Sequence, residues 1–175
     1  IYIDFLDDDD NYVIPWEIDN PKISITNYGS SIEINYDKDY QKWIPDIAFF
    51  TLRSSSNYEE DNEKCVAGVN GLGAKLTAIY SNFFEVEAYD GNNSYYQASH
   101  NNFKEIEKPK VMKNKDTYEE GIFTRVTFQL NLDYIIKTKK NDKLMKDLYL
   151  QFLLDIINVN VICPVSTFVN EKELG

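Results

Sequence analysis

Histidine is almost missing from this chain. His100 is the only one in 175 residues, and the two cysteines, Cys65 and Cys163, lie far apart. These shortages exclude the common zinc spacings and the paired-thiol redox motifs, and leave no metal site readable in the sequence. The cysteines read as reduced intracellular thiols. No partner stands at a fixed spacing from His100, which reads as a surface residue. Cations are scarce too: 18 Lys and Arg face 29 Asp and Glu, a net charge of −11. Gripping a DNA backbone requires clustered cations, so any DNA would have to be held by another part of the molecule. No apolar run approaches the roughly 20 residues of a membrane-spanning helix, and no signal peptide is visible. The expectation is a soluble chain without a membrane partner. Asn92-Asn93-Ser94 matches a glycosylation acceptor, read as accidental in that context. The first residue is Ile1 rather than methionine and already reads as strand, so the chain is taken as a fragment.

What is present suffices for one core. Hydrophobic residues make up 43% of the chain, enough for a single domain. The acidic runs Asp7 to Asp10 and Glu59 to Glu63 read as solvated loops. Residues 1 to 20 are strand-like and acidic, interrupted by Pro15. Lys22 to Thr26 alternates polar and apolar residues as a half-buried strand does. Asn27-Tyr28-Gly29 breaks that strand, and Ile32 to Ile34 resumes an extended pattern. Pro45 marks a helix start, with Ile44, Ile47, Ala48 and Leu52 spaced for one buried face. Residues 53 to 64 form a polar loop. After the glycines at 68, 71 and 73, Leu76, Ile79, Tyr80 and Phe83 recur at helical spacing.

Phe84 to Tyr89 alternates again and meets Asp90-Gly91, a hairpin signal, with Ser94 to Ser99 as the return strand. Glu105 to Lys115 reads as an edge strand plus a loop, and Phe123 to Gln129 as a strand rich in β-branched and aromatic residues. Lys143 to Asn158 carries Leu144, Leu148, Phe152 and Ile156 at the spacing of a buried helix. Val159 to Ile162 reads as a short apolar strand. Helices mixed with hairpins predict an α+β fold, a two-layer sandwich of one mixed sheet with helices on one face.

The segment Gly68-Val69-Asn70-Gly71-Leu72-Gly73-Ala74-Lys75 carries the chemistry. Its G-x-x-G-x-G order is neither a dinucleotide fingerprint nor a Walker loop. Glycines still let the backbone approach a ligand closely. A following helix start presents N–H groups to an anion, and Lys75 adds a full positive charge. The same pattern also suits a turn that merely packs a helix against a sheet.

The wording of that segment resembles the G-R-N-G-Y-G-A-K-L loop of eukaryotic and viral type IIA DNA topoisomerases. Ile79-Tyr80-Ser81-Asn82-Phe83 is similar to the family's I-F-S-T-x-F. Four neighbours follow in order. Ile23 to Gly29 resembles I-S-V-Y-N-D-G, and Trp43 to Phe49 resembles Y-V-P-E-L-I-F. Ser55-Ser56-Asn57-Tyr58 resembles S-S-N-Y before an acidic run, and Phe123 to Gln129 resembles Y-T-K-V-T-F-K. The ordered set spans roughly residues 20 to 165.

The resemblance implies the Bergerat (GHKL) ATPase fold, incomplete at its N-terminus here, with residues 1 to 175 forming part of that domain. It implies ATP with Mg2+ as cofactors, DNA as a partner through other domains, and a homodimer. The implied place is the nucleus, or a cytoplasmic replication site for a viral protein. Asn27 would lie near the adenine, Ser55, Ser56 and Asn57 at sugar and phosphates, and Gly68, Val69, Asn70, Gly71, Leu72, Gly73, Ala74 and Lys75 around the phosphates.

The family's hydrolytic glutamate and magnesium-binding asparagine lie on a helix upstream of the strand ending at Asn27, and nothing before Ile23 reads as that helix. No catalytic residue is assigned, and no metal ligand. Tyr28 stands at the family's aspartate, Ser30-Ser31 replaces an arginine-glycine step, and Val69 replaces an arginine. Those departures keep a second reading open, a diverged non-hydrolysing module used for dimerisation or scaffolding. A third, another Bergerat ATPase such as a chaperone or repair protein, fits the Ser-Ser-Asn-Tyr run and the Gly-Ala-Lys-Leu ending less well.

Overall fold

Alternation along four neighbouring strands creates a sheet with two unlike faces. The computed structural model describes residues 1–51, 72–113, 121–136, 142–162 and 166–173. In chain order the principal strands are β1 (Tyr2–Leu6), β2 (Lys22–Tyr28), the short hairpin β3 (Tyr36–Asp37) and β4 (Lys42–Trp43), β5 (Ser81–Tyr89), β6 (Asn93–His100), β7 (Glu105–Ile106), β8 (Lys110–Lys113), β9 (Phe123–Leu130), β10 (Phe168–Val169) and β11 (Lys172–Glu173). The helices are a π-helical turn (Asp46–Phe50), α1 (Gly73–Ile79), α2 (Leu132–Ile135) and α3 (Asp142–Ile162). The main sheet runs β11-β10-β1-β2-β9-β5-β6-β7, with β8 also on β6. It is antiparallel except for the parallel pair β1–β10. A mixed sheet was expected, and this is one.

Register sets the faces. Phe5, Ile23, Phe128, Phe84 and Ser99 stand side by side across β1, β2, β9, β5 and β6. Ile3, Ile25, Val126, Val86 and Gln97 form the next row. Because side chains alternate along a strand, these rows share one face. Phe5, Phe84 and Val86 are at most 1% exposed, and each such burial stabilises by about 1.5–3 kcal/mol. The helices cover this face. Phe50, Ala78, Leu132, Met145 and Tyr149 join the same core cluster, and Phe5 meets Tyr149 and Phe152 edge-on. The opposite face is polar, with a Ser24–Thr127 hydroxyl pair at 3.1 Å and an Arg125–Glu87 ion pair at 3.2 Å.

Several expectations are corrected. β2 continues through Asn27 and Tyr28, because both pair with β9 opposite Thr124 and Phe123. Ile32 to Ile34 joins no strand. The helix after Pro45 is a five-residue π-helical turn whose buried residues are Asp46 and Phe50, not Ile44, Ile47 or Ala48. In α3 the deepest side chains are Met145 and Tyr149, while Leu148 is 39% exposed. Phe152 and Ile156 pack against the core as expected, so the buried stripe is right along the second half of the helix and shifted by one residue in the first. α3 runs on through Ile162, so Val159 to Ile162 is helix and not strand. The next strand is β10, beside β1. Continuation of a helix already docked on the sheet outweighs the weak β preference of Val159, Val161 and Ile162.

The Asp90-Gly91 hairpin forms as expected. Gly91 adopts φ +96°, a left-handed conformation that glycine tolerates best. The Asp90 carboxylate accepts the N–H groups of Asn93 at 2.7 Å and Asn92 at 2.9 Å. Partial burial pushes its pKa up, yet these backbone donors outweigh burial and hold it below the ordinary 3.8. Asp90→Ala is therefore expected to cost about 1–3 kcal/mol, the range for hydrogen bonds to a charged group. The contribution is present above pH 3.8 and is lost as pH falls through the lower folded-state value. Urea unfolding of both proteins across acidic pH should show their difference shrinking below that point.

Candidate functional site

The described part of the glycine-rich segment is the start of α1. Leu72 occupies the N-cap position without a side-chain cap, and the helix opens Gly73-Ala74-Lys75. A β-carbon added at Gly73 would meet no atom of the described residues within 4 Å. Lys75 is 0% exposed, and Ala78 is 1%. Three residues apart, they share one helix face, and Ala78 belongs to the core under the helix. The expected apolar face is thereby overturned. Leu76 and Tyr80 are 48% and 42% exposed, and Phe83 belongs to β5. The helix turns its lysine inward and its leucine outward.

Lysine is among the residues least often buried, and taking an ammonium group out of water is costly. Burial accordingly pushes the Lys75 pKa below its ordinary 10.5. A buried lysine with a shifted pKa, at a helix start that follows glycines, marks this place as a candidate anion site.

Asn27 is exposed near the end of β2. By alternation it shares the helix-bearing face with Ile23 and Ile25, in one row with Thr124, Ala88 and Tyr95. Asn27 and α1 thus lie on the same side of the sheet. Ser55, Ser56, Asn57, Gly68, Val69, Asn70 and Gly71 lie outside the described residues.

β9 also supplies a residue that alternation alone marks only as β-structure. The Thr124 hydroxyl accepts the Ile32 N–H at 3.0 Å and lies 3.2 Å from the Ser31 hydroxyl. Asp90 accepts the Ile34 N–H at 3.3 Å. A side chain of β9 and one of the β5–β6 hairpin turn therefore hold the segment that follows β2. The Asp-Gly signal pointed to Asp90; nothing local distinguished Thr124.

Two departures from the family wording acquire locations. Tyr28 faces the polar side of the sheet, with its ring 5.1 Å from Tyr2 and 6.4 Å from Phe123. It points away from the face that carries Asn27. The Ser31 hydroxyl is engaged with Thr124 and with the Ile32 carbonyl at 3.1 Å.

A groove of about 510 Å³ opens on the polar face. Its wall carries Asp4, Asp10, Glu85, Glu87 and Glu171 against Arg125. Five carboxylates facing one guanidinium repel a phosphate, so this groove does not suit the anion that Lys75 suits. Among the described residues no three histidine, cysteine or carboxylate side chains form a group able to hold a metal ion. No helix among them is long and apolar enough to cross a membrane.

No family model matches the chain. DNA topoisomerase 2 of Meyerozyma guilliermondii is 33% identical over 167 residues, 94% of this chain and 12% of that protein. DNA topoisomerase 2 of Acanthamoeba polyphaga mimivirus is 36% identical over 109 residues, 61% of this chain and 8% of that protein. The ATPase region of Saccharomyces cerevisiae topoisomerase II superposes with a TM-score of 0.74 at 28% identity, covering 99% of this chain and 42% of that one.

The chain is homologous to the ATPase region of type II DNA topoisomerases. Its mixed sheet with helices on one face is the GHKL fold of that region. The topoisomerase homologue spans about a tenth of the length of its curated relatives.

In this topoisomerase II homologue the depressed Lys75 pKa makes a checkable contribution to stability. Because the folded-state value lies below the unfolded 10.5, the unfolded chain holds more protons between the two. Stability therefore rises with pH through that window. Lys75→Met fills similar space without a charge. Without nucleotide, its urea-unfolding free energy should lose the alkaline rise that the parent shows, and a rise of the same size in the variant would exclude Lys75 as its source.

Proposed function

We propose that this chain is the nucleotide-binding part of an ATP-dependent type II DNA topoisomerase, and that residues 1–175 form part of its ATPase domain. One observation carries the reading. Lys75, on the first turn of a helix entered from a glycine-rich segment, is fully buried. A cation at that place, beside the backbone N–H groups of a helix start, suits the charge of a triphosphate.

In this reading the backbone from Gly68 to Ala74 wraps the phosphates, and Lys75 meets them directly. Ser55, Ser56 and Asn57 reach the sugar and phosphates. Asn27 lies by the adenine on the exposed end of β2. Magnesium comes with the nucleotide and neutralises phosphate charge when bound. The residues of this chain bind and orient; the positioning of charge around the γ-phosphate is what phosphoryl-transfer sites contribute.

Residues before Lys22 form β1 and the turns after it. They supply no helix bearing a general base, so this chain by itself is not expected to hydrolyse ATP efficiently. DNA would be held and cut by other parts of the protein. A net charge of −11 suits a segment that does not touch the DNA backbone. Strand passage would use two such chains as a homodimer, in the nucleus or at a viral replication site.

Isothermal titration with a non-hydrolysable ATP analogue and magnesium tests the proposal. The parent chain should bind, and Lys75→Ala should bind about 10- to 100-fold more weakly, as loss of one charge-assisted hydrogen bond predicts. Absence of heat at millimolar analogue, with the circular dichroism of a folded chain, would overturn the proposal. In alkaline buffer, where a lowered pKa leaves Lys75 partly neutral, proton uptake on binding, read by repeating the titration in buffers of different ionisation heat, should be present in the parent and reduced in the variant. A phosphate beside Lys75 raises a pKa that burial had lowered.

A further inference from the structure

The far end of α1 is held by an unusual piece of backbone. Asn101, Asn102 and Phe103 adopt φ values of +52°, +58° and +65°. Three successive residues other than glycine in the left-handed region are rare, since that conformation is normally visited singly. Such a turn persists only where its surroundings over-determine it.

Here they do. The Asn102 side-chain amide donates to the Ile79 carbonyl at 3.0 Å, and the Asn102 N–H donates to the Ser81 carbonyl at 3.0 Å. The Asn131 N–H donates to the Tyr80 carbonyl at 2.7 Å. The Asn131 side-chain amide donates to the Asn102 side-chain oxygen at 2.8 Å. Phe103 stacks on Phe50 of the π-helical turn with centroids 6.1 Å apart, and Phe50 meets Phe84 of β5.

Two asparagines thus take the Ile79 and Tyr80 carbonyls, groups that a helix terminus leaves without partners, together with the Ser81 carbonyl at the start of β5. One of the two also opens α2, its side-chain oxygen accepting the Tyr134 N–H at 3.1 Å. We propose that Asn102, locked to Asn131, is a positioning residue that fixes the direction of α1 and so the placement of Lys75 and the Gly73–Ala74 backbone against the bound triphosphate. This rests on the nucleotide-binding reading given above.

The mechanics follow from the size of α1. Seven residues span about 10 Å, and a helix that short has no stability of its own. Its outward stripe Leu72, Leu76 and Tyr80 is 40%, 48% and 42% exposed. Direction therefore comes from the sheet side and from the clamped end. Lys75 lies one turn before Ile79, so a tilt at the carbonyl end moves the lysine directly. A shift of about 1 Å at a binding group is enough to weaken it substantially.

Asn102→Gly separates this role from general stability. Glycine adopts the left-handed backbone most readily, so the substitution relieves strain while deleting both side-chain bonds. Asn102→Asp is the conservative partner, keeping the acceptor for Asn131 and losing the donor to Ile79. The full chain would be compared by thermal unfolding, amide hydrogen exchange over Leu76 to Tyr80, and titration with the non-hydrolysable ATP analogue.

The expected result is a midpoint within a few degrees of the parent, faster exchange confined to α1, and nucleotide affinity weakened roughly five- to tenfold in the glycine variant, about one hydrogen bond's worth. The aspartate variant should fall between. If the parent binds and Asn102→Gly binds equally well, the positioning role is overturned while the nucleotide reading stands. If affinity falls only together with the midpoint and exchange rises throughout the chain, the clamp is a fold contact and the role is again overturned. A parent that binds no nucleotide removes both.

Discussion

The register of β9 between β2 and β5 is the constraint on which the molecule depends. Phe128 lies between Ile23 and Phe84, and Val126 between Ile25 and Val86. A slip of one residue would exchange those rows for Thr127 and Arg125, sending polar groups under the helices and aromatics into water. With the register fixed, one face binds α1, α3 and the π-helical turn into a core. The other is left to the Ser24–Thr127 and Arg125–Glu87 pairs. The same register delivers Asn27 and Thr124 to the helix-bearing side, so the placement of the site follows from the packing of the sheet.

Lys75 departs from the pattern that most of the described residues follow, with apolar side chains in the core and most carboxylates at the surface. A helix that buries lysine and alanine while exposing Leu72, Leu76 and Tyr80 inverts that order. Local rules are broken at functional sites more often than elsewhere. The topoisomerase family relationship and this inversion are independent, one resting on sequence order and overall fold, the other on burial of a charge. Both lead to the same helix start.

The two faces also divide the electrostatics. The groove on the polar face is acidic, whereas the buried cation lies on the helix side. A chain of net charge −11 can hold a polyanion only where its own carboxylates are turned away and a cation is placed inward. The sheet does this by sending Asp4, Glu85 and Glu87 to one side and α1 to the other.

Much of this was legible in the residues. Alternation in Lys22–Thr26, Phe84–Tyr89 and Phe123–Gln129, with the Asp-Gly turn, specified β2, β5, β9 and the hairpin, because period-two patterns and turn chemistry are local. The glycine segment with its lysine, read with its ordered neighbours, marked the candidate site and its family. Other features needed the assembled fold. Whether Leu76 or Lys75 faces inward depends on what lies beneath α1. Val159 to Ile162 stays helical because α3 is already docked. Thr124 and Asn102 matter only through carbonyls and amides brought to them from distant parts of the chain. Composition and spacing encode preferences of short segments, while the direction of a helix face and the partner of a side chain are set by long-range packing, which no window of local sequence contains.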